Sequence, residues 1–200
     1  MDHTADPLNV LHTLEQGGMV LLPVDTVPGL AVRADLPHAL STLYEAKNRP
    51  STQALALIFR DHEQLADWLQ PSPEQARALL ALLPGPLSVV LAGTPRLAAC
   101  WPSWGESVAV RLSGPCPCSS LLAQLPWPLA LSSANLSGEP TPASMSQVPE
   151  ILRQRVDLCW PGDCPVGRES TVLDLRTDPP RVLREGAMNA ADLAKRWGQA

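Results

Sequence analysis

The chain has 200 residues, which fits a single domain (1–200), and 45% of them are hydrophobic, enough to bury a core. Its net charge of -5 argues against a protein whose main task is to grip a nucleic-acid backbone. The five cysteines are an odd number, and no basic-then-apolar leader follows Met1. We therefore expect reduced thiols and a cytoplasmic location.

Helices and strands alternate in the first half of the chain. Helix starts are marked by proline at first helical positions and by the capping box from Ser72 to Gln75. Gly17-Gly18 marks the end of the first helix. These signals predict helices over 7–16, 37–49 and 73–83 and extended strands over 19–23, 30–34 and 54–59.

A charge-free run between Arg77 and Arg96 is long enough to suggest a membrane helix. Pro84-Gly85-Pro86 breaks that run in its middle. We predict a buried helix, a turn and a buried strand instead, and no association with a membrane.

The second half adds strands over 87–92, 107–112 and 129–131, helices over 115–124 and 145–155, three short late strands, and a last helix capped by Asn189. This interleaving predicts an α/β protein, and the irregular strand spacing argues against a clean doubly wound sheet. Neither the phosphate-loop motif GxxxxGK[ST] nor the dinucleotide-binding motif GxGxxG occurs, so a nucleotide would be bound by a different set of residues.

Four cysteines form two pairs in the sequence, Cys116 with Cys118 and Cys159 with Cys164. A four-thiolate zinc site is one interpretation, but neither pair has the usual two-residue spacing and Pro117 stiffens the first. We expect no structural metal and interpret the thiols as buried or incidental.

Arg111 is the most informative polar residue. Its strand alternates, which places Ser107 and Arg111 on one face, about 13 Å apart. An arginine on a half-buried strand needs a partner, because an unpaired buried charge is costly. One interpretation is a structural ion pair with an Asp or Glu at the core edge, and the other is a planar fork that binds a ligand carboxylate or phosphate.

Two further segments supply cations and small polar groups. Lys47 and Arg49 stand at a helix end, where cations also complement the helix dipole, and Pro50 fixes the turn that aims them. The loop 133–138, SANLSG, offers hydroxyls, an amide and a glycine, and small residues let backbone amides approach an anion closely. Together with the arginines, these segments predict an anion-binding cleft.

Seven segments, in order and at matching spacing, resemble the threonylcarbamoyl-AMP synthases, the YrdC-like family. The similarity extends over about 17–187, nearly the whole chain. The segments are PVDTVPGL, KNRP, LLPGPLSVVL, SVAVR, SSANLSGEPTP, GRESTVLDL and RVLREGA.

The resemblance implies an open, twisted mixed sheet with flanking helices around a large cationic cavity, in a short form without the extra C-terminal domain of longer members. It implies a nucleotidyltransferase that makes threonylcarbamoyl-AMP and pyrophosphate from L-threonine, bicarbonate or CO2, and ATP carrying Mg²⁺. The product would feed the t6A modification at position 37 of tRNAs that read ANN codons, through downstream tRNA-threonylcarbamoyl transferase proteins. Direct tRNA binding is not expected, given the acidic balance.

The same resemblance implies residue roles. No side chain would act as general acid or base or bind a metal; in-line attack at phosphorus needs positioning and charge neutralisation, here by Lys47, Arg49, Ser133 and Asn135. The implied ATP-binding residues are Lys47, Arg49, Gln53, Ser107, Ser133, Asn135, Thr141 and Arg184. The implied threonine-binding residues are Thr26, Arg111 and Ser170.

Some positions depart from the common pattern of the family. Val24 replaces a threonine, Pro28 stands where many members have an aromatic residue, Leu131 replaces a small hydroxyl residue, and Arg168 replaces an apolar one. Ile58 and Leu131 occupy positions that lie next to threonine in the family, where apolar side chains offer only packing. The departures bear on the shape of the threonine pocket rather than on nucleotide binding.

Two alternatives stay open from the sequence. In the first, the chain is a paralogue of the family that makes another carbamoyl- or acyl-adenylate or has lost activity. In the second, it is a non-catalytic RNA-binding module that uses the same concave surface, although its excess of acidic residues weighs against this.

Overall fold

A computed structural model of the chain describes residues 6–198. Its helices are α1 (Pro7–Glu15), α2 (Pro37–Ala46), α3 (His62–Leu69), α4 (Pro73–Leu82), α5 (Pro95–Cys100), α6 (Ser119–Leu122), α7 (Glu150–Arg153) and α8 (Ala190–Trp197). Its strands are β1 (Val20–Pro23), β2 (Pro28–Arg33), β3 (Ala56–Ile58), β4 (Leu87–Ala92), β5 (Ser107–Arg111), β6 (Leu129–Ser133), β7 (Leu158–Cys159), β8 (Thr171–Asp174) and β9 (Arg181–Arg184).

The nine strands form one mixed sheet in the order β7-β1-β2-β6-β3-β5-β4-β8-β9. The pairs β1–β7, β3–β5 and β4–β8 are parallel, and the others are antiparallel. Parallel neighbours need long crossover connections, which the intervening helices provide. The predicted α/β class with a mixed sheet flanked by helices is therefore confirmed.

Two hydrophobic clusters cover opposite faces of the sheet near β1 and β2. Successive strand residues point to opposite faces, so Leu21 and Leu30 join one cluster while Leu22 and Ala31 join the other. In β5 only one face is covered in this way, because Val108 and Val110 enter the core while its other residues do not. The uncovered face of β5 leaves room for a cleft.

Several predicted helices are shorter than expected, and prolines explain why. The helix predicted over 145–155 is a 3₁₀ turn, Met145–Gln147, followed by α7, because Pro149 separates them. The helix predicted over 115–124 is only α6, since Pro115 and Pro117 carry no backbone N–H.

Two helices were missed in the sequence, α3 and α5. Asp61 is the N-cap of helix α3, and its side chain accepts a hydrogen bond from the backbone N–H of Gln64; the helix buries Leu65 and Trp68. Helix α5 has Thr94 as its N-cap and only six residues, so its periodicity is too short to read. None of the helices within 6–198 has the length and apolar character needed to cross a bilayer.

Candidate active site

A cleft of about 410 Å³ opens on the uncovered face of the sheet. Ser107, Ala109 and Arg111 of β5 line it, which confirms the predicted alternation of that strand. Residues of β2, β4, β6, β8 and β9 complete its walls. The charged groups of this lining are Arg49, Arg111, Arg176, Arg184 and the carboxylate of Glu169.

Arg111 is held at the buried end of the cleft by two neighbours from the loop after β1. Its Nη2 donates to Asp25 Oδ1 at 2.7 Å, and its Nη1 donates to Thr26 Oγ1 at 3.0 Å. The side chains of Arg111 and Asp25 are only 5% and 4% exposed. Arg111 therefore forms an ion pair with an acidic residue, as one of the two interpretations expected.

The ion pair does not use the whole guanidinium. Arg111 Nε is buried and has no hydrogen-bond partner among residues 6–198. Burial lowers the pKa of Arg111, Asp25 opposes that shift, and the positive charge of Arg184 adds to it. A buried donor without a partner is costly, so this group is suited to a ligand acceptor. Binding of a ligand carboxylate by Arg111 stays a prediction.

Asp25 is fixed by donors on three sides. Besides Arg111, Ser113 Oγ donates to Oδ1 at 3.0 Å and the backbone N–H of Gly114 donates to Oδ2 at 3.0 Å. A carboxylate with several donors keeps its position when a ligand arrives. Asp25 therefore sets the orientation of Arg111.

Ser170 and Arg184 also line the cleft. Ser170 Oγ lies 2.8 Å from Ser88 Oγ. Arg184 Nη2 donates to the backbone oxygen of Ser170 at 2.9 Å, and Arg184 Nη1 donates to Glu169 Oε1 at 2.9 Å. The Arg184–Glu169 pair is 44% and 38% exposed, so this end of the cleft is open to solvent.

Arg49 supplies a further cation at the cleft. Its Nη2 donates to the backbone oxygen of Ala54 at 2.7 Å, and its Nε is buried without a hydrogen-bond partner in the described part of the chain. Burial lowers the pKa of Arg49, and the hydroxyl of Tyr44 partly opposes this. Like Arg111, Arg49 therefore combines a fixed position with an unused donor.

Lys47 builds the loop after β6 rather than the lining of the cleft. Its Nζ donates to the backbone oxygens of Ser133 and Asn135, the latter at 2.6 Å, and lies 3.3 Å from Asn135 Oδ1. The side chain is almost completely buried, and burial together with Arg49 lowers the pKa of Lys47 to about 8.

Asn135 completes the same loop. Its Oδ1 also accepts from Ser133 Oγ at 2.6 Å, and its Nδ2 donates to the backbone oxygens of Leu136 and Glu139. The many small polar groups of SANLSG thus hold each other and Lys47, and leave Ser132 and Ser133 on the cleft.

The structure brings most of the predicted site residues to one cleft, and four lie outside its lining. Those on the lining are Thr26, Arg49, Ser107, Arg111, Ser133, Ser170 and Arg184. Those outside it are Lys47, Gln53, Asn135 and Thr141. Their direct contact with a nucleotide stays a prediction.

Sequence reasoning missed four residues that shape the cleft: Asp25, Ser88, Ser113 and Arg176. Asp25 stands next to Thr26 in a segment already singled out, and an acidic partner for Arg111 was one of the two interpretations. Arg176 pairs with Asp174 through two hydrogen bonds, at 2.9 and 2.7 Å. Ser88 and Ser113 carry no signal beyond their strand and turn positions.

Two of the four departures line the cleft, namely Pro28 and Leu131. The Leu131 side chain lies over Gly29, where an added Cβ would come within 2.7 Å of Leu131 Cδ1, so a larger residue at position 29 would displace this leucine side chain. Val24 is buried in the core and Arg168 lies by a smaller cavity, so neither shapes the cleft.

The described residues contain no cluster of three or more His, Cys, Asp or Glu side chains able to hold a metal ion. At the cleft the carboxylate of Glu169 is engaged by Arg184. Magnesium in nucleotide sites commonly binds one or two carboxylates and the phosphates of the substrate, keeping several waters. The residues present fit an ion that is carried mainly by a nucleotide.

The fold and its cleft define a class: an α/β protein that presents buried and half-buried arginines to a cleft on the open face of a mixed sheet. A family model, Sua5/YciO/YrdC, described as "Telomere recombination", matches residues 12–186. The chain belongs to this family.

Curated relatives carry the name threonylcarbamoyl-AMP synthase. One from Bacillus subtilis is 35% identical over 88% of this chain and 51% of its own length. One from Pyrococcus abyssi is 32% identical over 93% of this chain and 55% of its own length, and one from Vibrio vulnificus is 33% identical over 88% and 96%. The chain thus spans about half the length of the first two.

Solved structures agree with the family in fold. The structure of P. abyssi Sua5 complexed with L-threonine superposes with a TM-score of 0.85 at 30% identity, covering 96% of this chain and 57% of that one. Escherichia coli YciO, at 22% identity, has a TM-score of 0.76 over 94% of this chain and 92% of its own, and supports the fold alone.

Proposed function

We propose that this protein is an L-threonylcarbamoyladenylate synthase, a nucleotidyltransferase. In the proposed reaction the amine nitrogen of L-threonine forms a C–N bond to CO2, with loss of a proton, or to bicarbonate, with loss of water, and a carbamate results. A carbamate oxygen attacks the α-phosphorus of ATP, and pyrophosphate leaves. The observation that carries the proposal is the buried Arg111, fixed by Asp25 and Thr26 with Nε unused, in a fold shared with a Sua5 structure that contains L-threonine.

Threonine would bind at the buried end. Its carboxylate would accept hydrogen bonds from Arg111, with Thr26 and Ser170 on either side of it on the lining. Arg111 already faces one carboxylate, that of Asp25, so a second anion needs more positive charge nearby. Arg184 acts on Arg111 electrostatically and supplies this charge. The apolar Leu131 and Pro28 would limit the size of the amino-acid side chain.

ATP would bind toward the open end. Arg49 and Arg184 line the cleft and would neutralise phosphate charge, while Ser107 and Ser133 offer hydroxyls. Because in-line phosphoryl transfer needs little covalent help, fixed cations account for most of what the protein must do. Lys47 and Asn135 would act by holding the 133–138 loop. Gln53 and Thr141 would contact ATP from outside the lining of the cleft.

Mg²⁺ would enter with the ATP phosphates and neutralise part of their charge. Glu169 is the one acidic group on the lining of the cleft as described here, and it already faces Arg184. We therefore assign no side-chain ligand to the ion.

The product and the compartment follow from the same proposal. Threonylcarbamoyl-AMP would pass to a tRNA-threonylcarbamoyl transferase system for the t6A modification at position 37 of tRNAs reading ANN codons. The five cysteines are free thiols, which fits a reducing cytoplasm.

A pyrophosphate-release assay tests the proposal. The purified chain is supplied with ATP, Mg²⁺ and one amino acid at a time, with and without bicarbonate. We expect release that requires both L-threonine and bicarbonate, and a product with the mass of threonylcarbamoyl-AMP. Release with another amino acid would indicate a paralogue with a different substrate. No release with any amino acid, from a protein that still binds ATP, would contradict the proposal.

A further inference from the structure

Two thiols that the proposed reaction does not use lie close together beside the cleft. Cys116 Sγ and Cys118 Sγ are 3.5 Å apart. Cys116 is half-buried between the exposed Pro115 and Pro117, whereas Cys118 is fully buried. A disulfide needs a sulfur separation of about 2 Å, so a small side-chain rotation would bring the pair together.

The two thiols differ in chemical character. Hydrogen bonding with Cys118 above all, and with Ser119 Oγ at 3.5 Å, lowers the pKa of Cys116 to about 6, although burial opposes this shift. The same contact and burial raise the pKa of Cys118 far above its ordinary value. Cys116 is therefore a thiolate near neutral pH, while Cys118 keeps its proton.

Both thiols also contact the groups that hold Arg111. Cys116 Sγ contacts Ser113 Oγ, which donates to Asp25 Oδ1 at 3.0 Å, and Asp25 in turn holds Arg111. Cys118 Sγ also lies 3.5 Å from the backbone oxygen of Pro23, two residues before Asp25. Movement of either sulfur would therefore act on the position of Asp25.

We propose that Cys116 and Cys118 form a peroxide-reactive thiol pair whose conversion to a disulfide loosens the Ser113–Asp25 support of Arg111. Cys116 thiolate attacks one oxygen of hydrogen peroxide; the S–O bond forms, the O–O bond breaks, and hydroxide leaves and takes up a proton as water. Cys118 sulfur then attacks Cys116 sulfur; the S–S bond forms, the S–O bond breaks, and the proton of Cys118 leaves with the hydroxyl as water. Two thiols are oxidised by two electrons and one peroxide is reduced to two waters.

The thiol chemistry is tested without any assay of activity. The reduced chain is treated with hydrogen peroxide, and peptide mass mapping locates the modified cysteines. We expect a Cys116–Cys118 disulfide that forms at least about tenfold faster than oxidation of Cys159, an exposed cysteine in β7. A dithiol reductant should reverse it.

Three variants separate the roles. Cys116→Ser should abolish the disulfide, Cys118→Ala should accumulate a sulfenic acid at Cys116 that a cyclic dione probe traps, and the control Cys159→Ser should react like the native chain. Because Cys118 is fully buried, melting is measured for each variant, and Cys116→Ser keeps the test decisive if Cys118→Ala fails to fold. A Cys116–Cys164 disulfide, or a Cys116 no more reactive than Cys159, would overturn the proposal.

The effect on the cleft rests on the proposed function. The KM for L-threonine is measured before oxidation, after it, and after reduction again, with that for ATP alongside. We expect the threonine value to rise about fivefold on oxidation and to recover, with the ATP value unchanged. An unchanged threonine KM in a chain carrying the disulfide would overturn the coupling. A chain that forms the disulfide but releases no pyrophosphate even when reduced would instead refute the proposed function.

Discussion

The two ends of the cleft hold their arginines in different ways. At the buried end, Arg111 and Asp25 are about 95% removed from solvent, and further donors support the carboxylate. At the open end, Arg184 and Glu169 make a contact of similar length, 2.9 Å against 2.7 Å, with about 40% of each side chain exposed. Similar distances thus join pairs in very different surroundings.

This difference decides what each pair contributes. A solvent-exposed ion pair contributes little, because water screens it and both side chains lose freedom. A buried pair gains little over an apolar pair of the same shape, but loss of one partner leaves an unpaired charge in the interior. The buried pair therefore fixes the position of Arg111, whereas the exposed Arg184 side chain is free to adjust to a ligand.

The largest expected effect tests the buried pair. Asp25→Asn leaves Arg111 charged without its carboxylate, so we expect the free energy of unfolding to fall by about 3–5 kcal/mol. Urea unfolding of the folded chain measures it. In the double variant Asp25→Asn, Arg111→Met the charge is gone, and much of the loss should be recovered. If the double variant is less stable than Asp25→Asn alone, the buried charge is not the cause.

Arg111→Lys tests whether the buried end of the cleft binds the carboxylate of the substrate. A lysine ammonium is a point charge rather than a planar guanidinium, so it cannot donate hydrogen bonds to Asp25, Thr26 and a ligand carboxylate together. We expect the KM for L-threonine to rise by about tenfold or more while that for ATP changes little. Some loss of stability should accompany it.

Both KM values are measured on variant protein that remains folded. A rise confined to ATP would place a phosphate at Arg111, and no rise in either would leave Arg111 with a purely structural role.

Arg49→Ala tests the half-buried cation beside the open end. Loss of a charged phosphate contact costs about 1.5–3 kcal/mol, so catalytic efficiency with ATP should fall roughly tenfold or more. Folding should change less, since in the described chain the Arg49 side chain donates one hydrogen bond, to the backbone oxygen of Ala54. The control Arg60→Ala removes an arginine outside the cleft lining. Equal ATP kinetics in the two variants would contradict the assignment.

The smallest effect is expected for Glu169→Gln, the matched counterpart of Asp25→Asn. Both changes turn a carboxylate next to an arginine into an amide, but the Glu169 side chain is 38% exposed, against 4% for Asp25. We expect a stability loss of no more than about 0.5 kcal/mol. A loss as large as that of Asp25→Asn would remove the distinction between the two ends of the cleft.

The sequence predicts the class of fold well because periodicity and caps are local. The alternation of Ser107, Ala109 and Arg111 placed all three correctly on one face. The order of the strands in the sheet could not be predicted in this way. Strand β3 lies between β6 and β5, and only packing across the whole sheet decides this. Helix α3 was missed although Asp61 caps it, because a helix of eight residues is too short for its apolar period to stand out in the sequence.

The sequence predicts which residues belong to the site better than it predicts the contacts between them. Seven of the residues implied by resemblance line the cleft, but no spacing shows that Lys47 binds the loop carbonyls or that Asp25 fixes Arg111. These partners are 85 or more residues apart, at separations for which local signals carry no information.

Those separations also govern when the site can exist during synthesis. The Lys47 ammonium joins Asn135 across 88 residues, and Arg111 joins Asp25 across 86. The last cation of the cleft, Arg184, comes near the end of the chain. Contacts between distant residues form only after the intervening chain has been ordered. A nascent chain that has not yet emerged past β9 therefore has no complete cleft, and two separately expressed halves of the protein would have to associate before either could bind a ligand there.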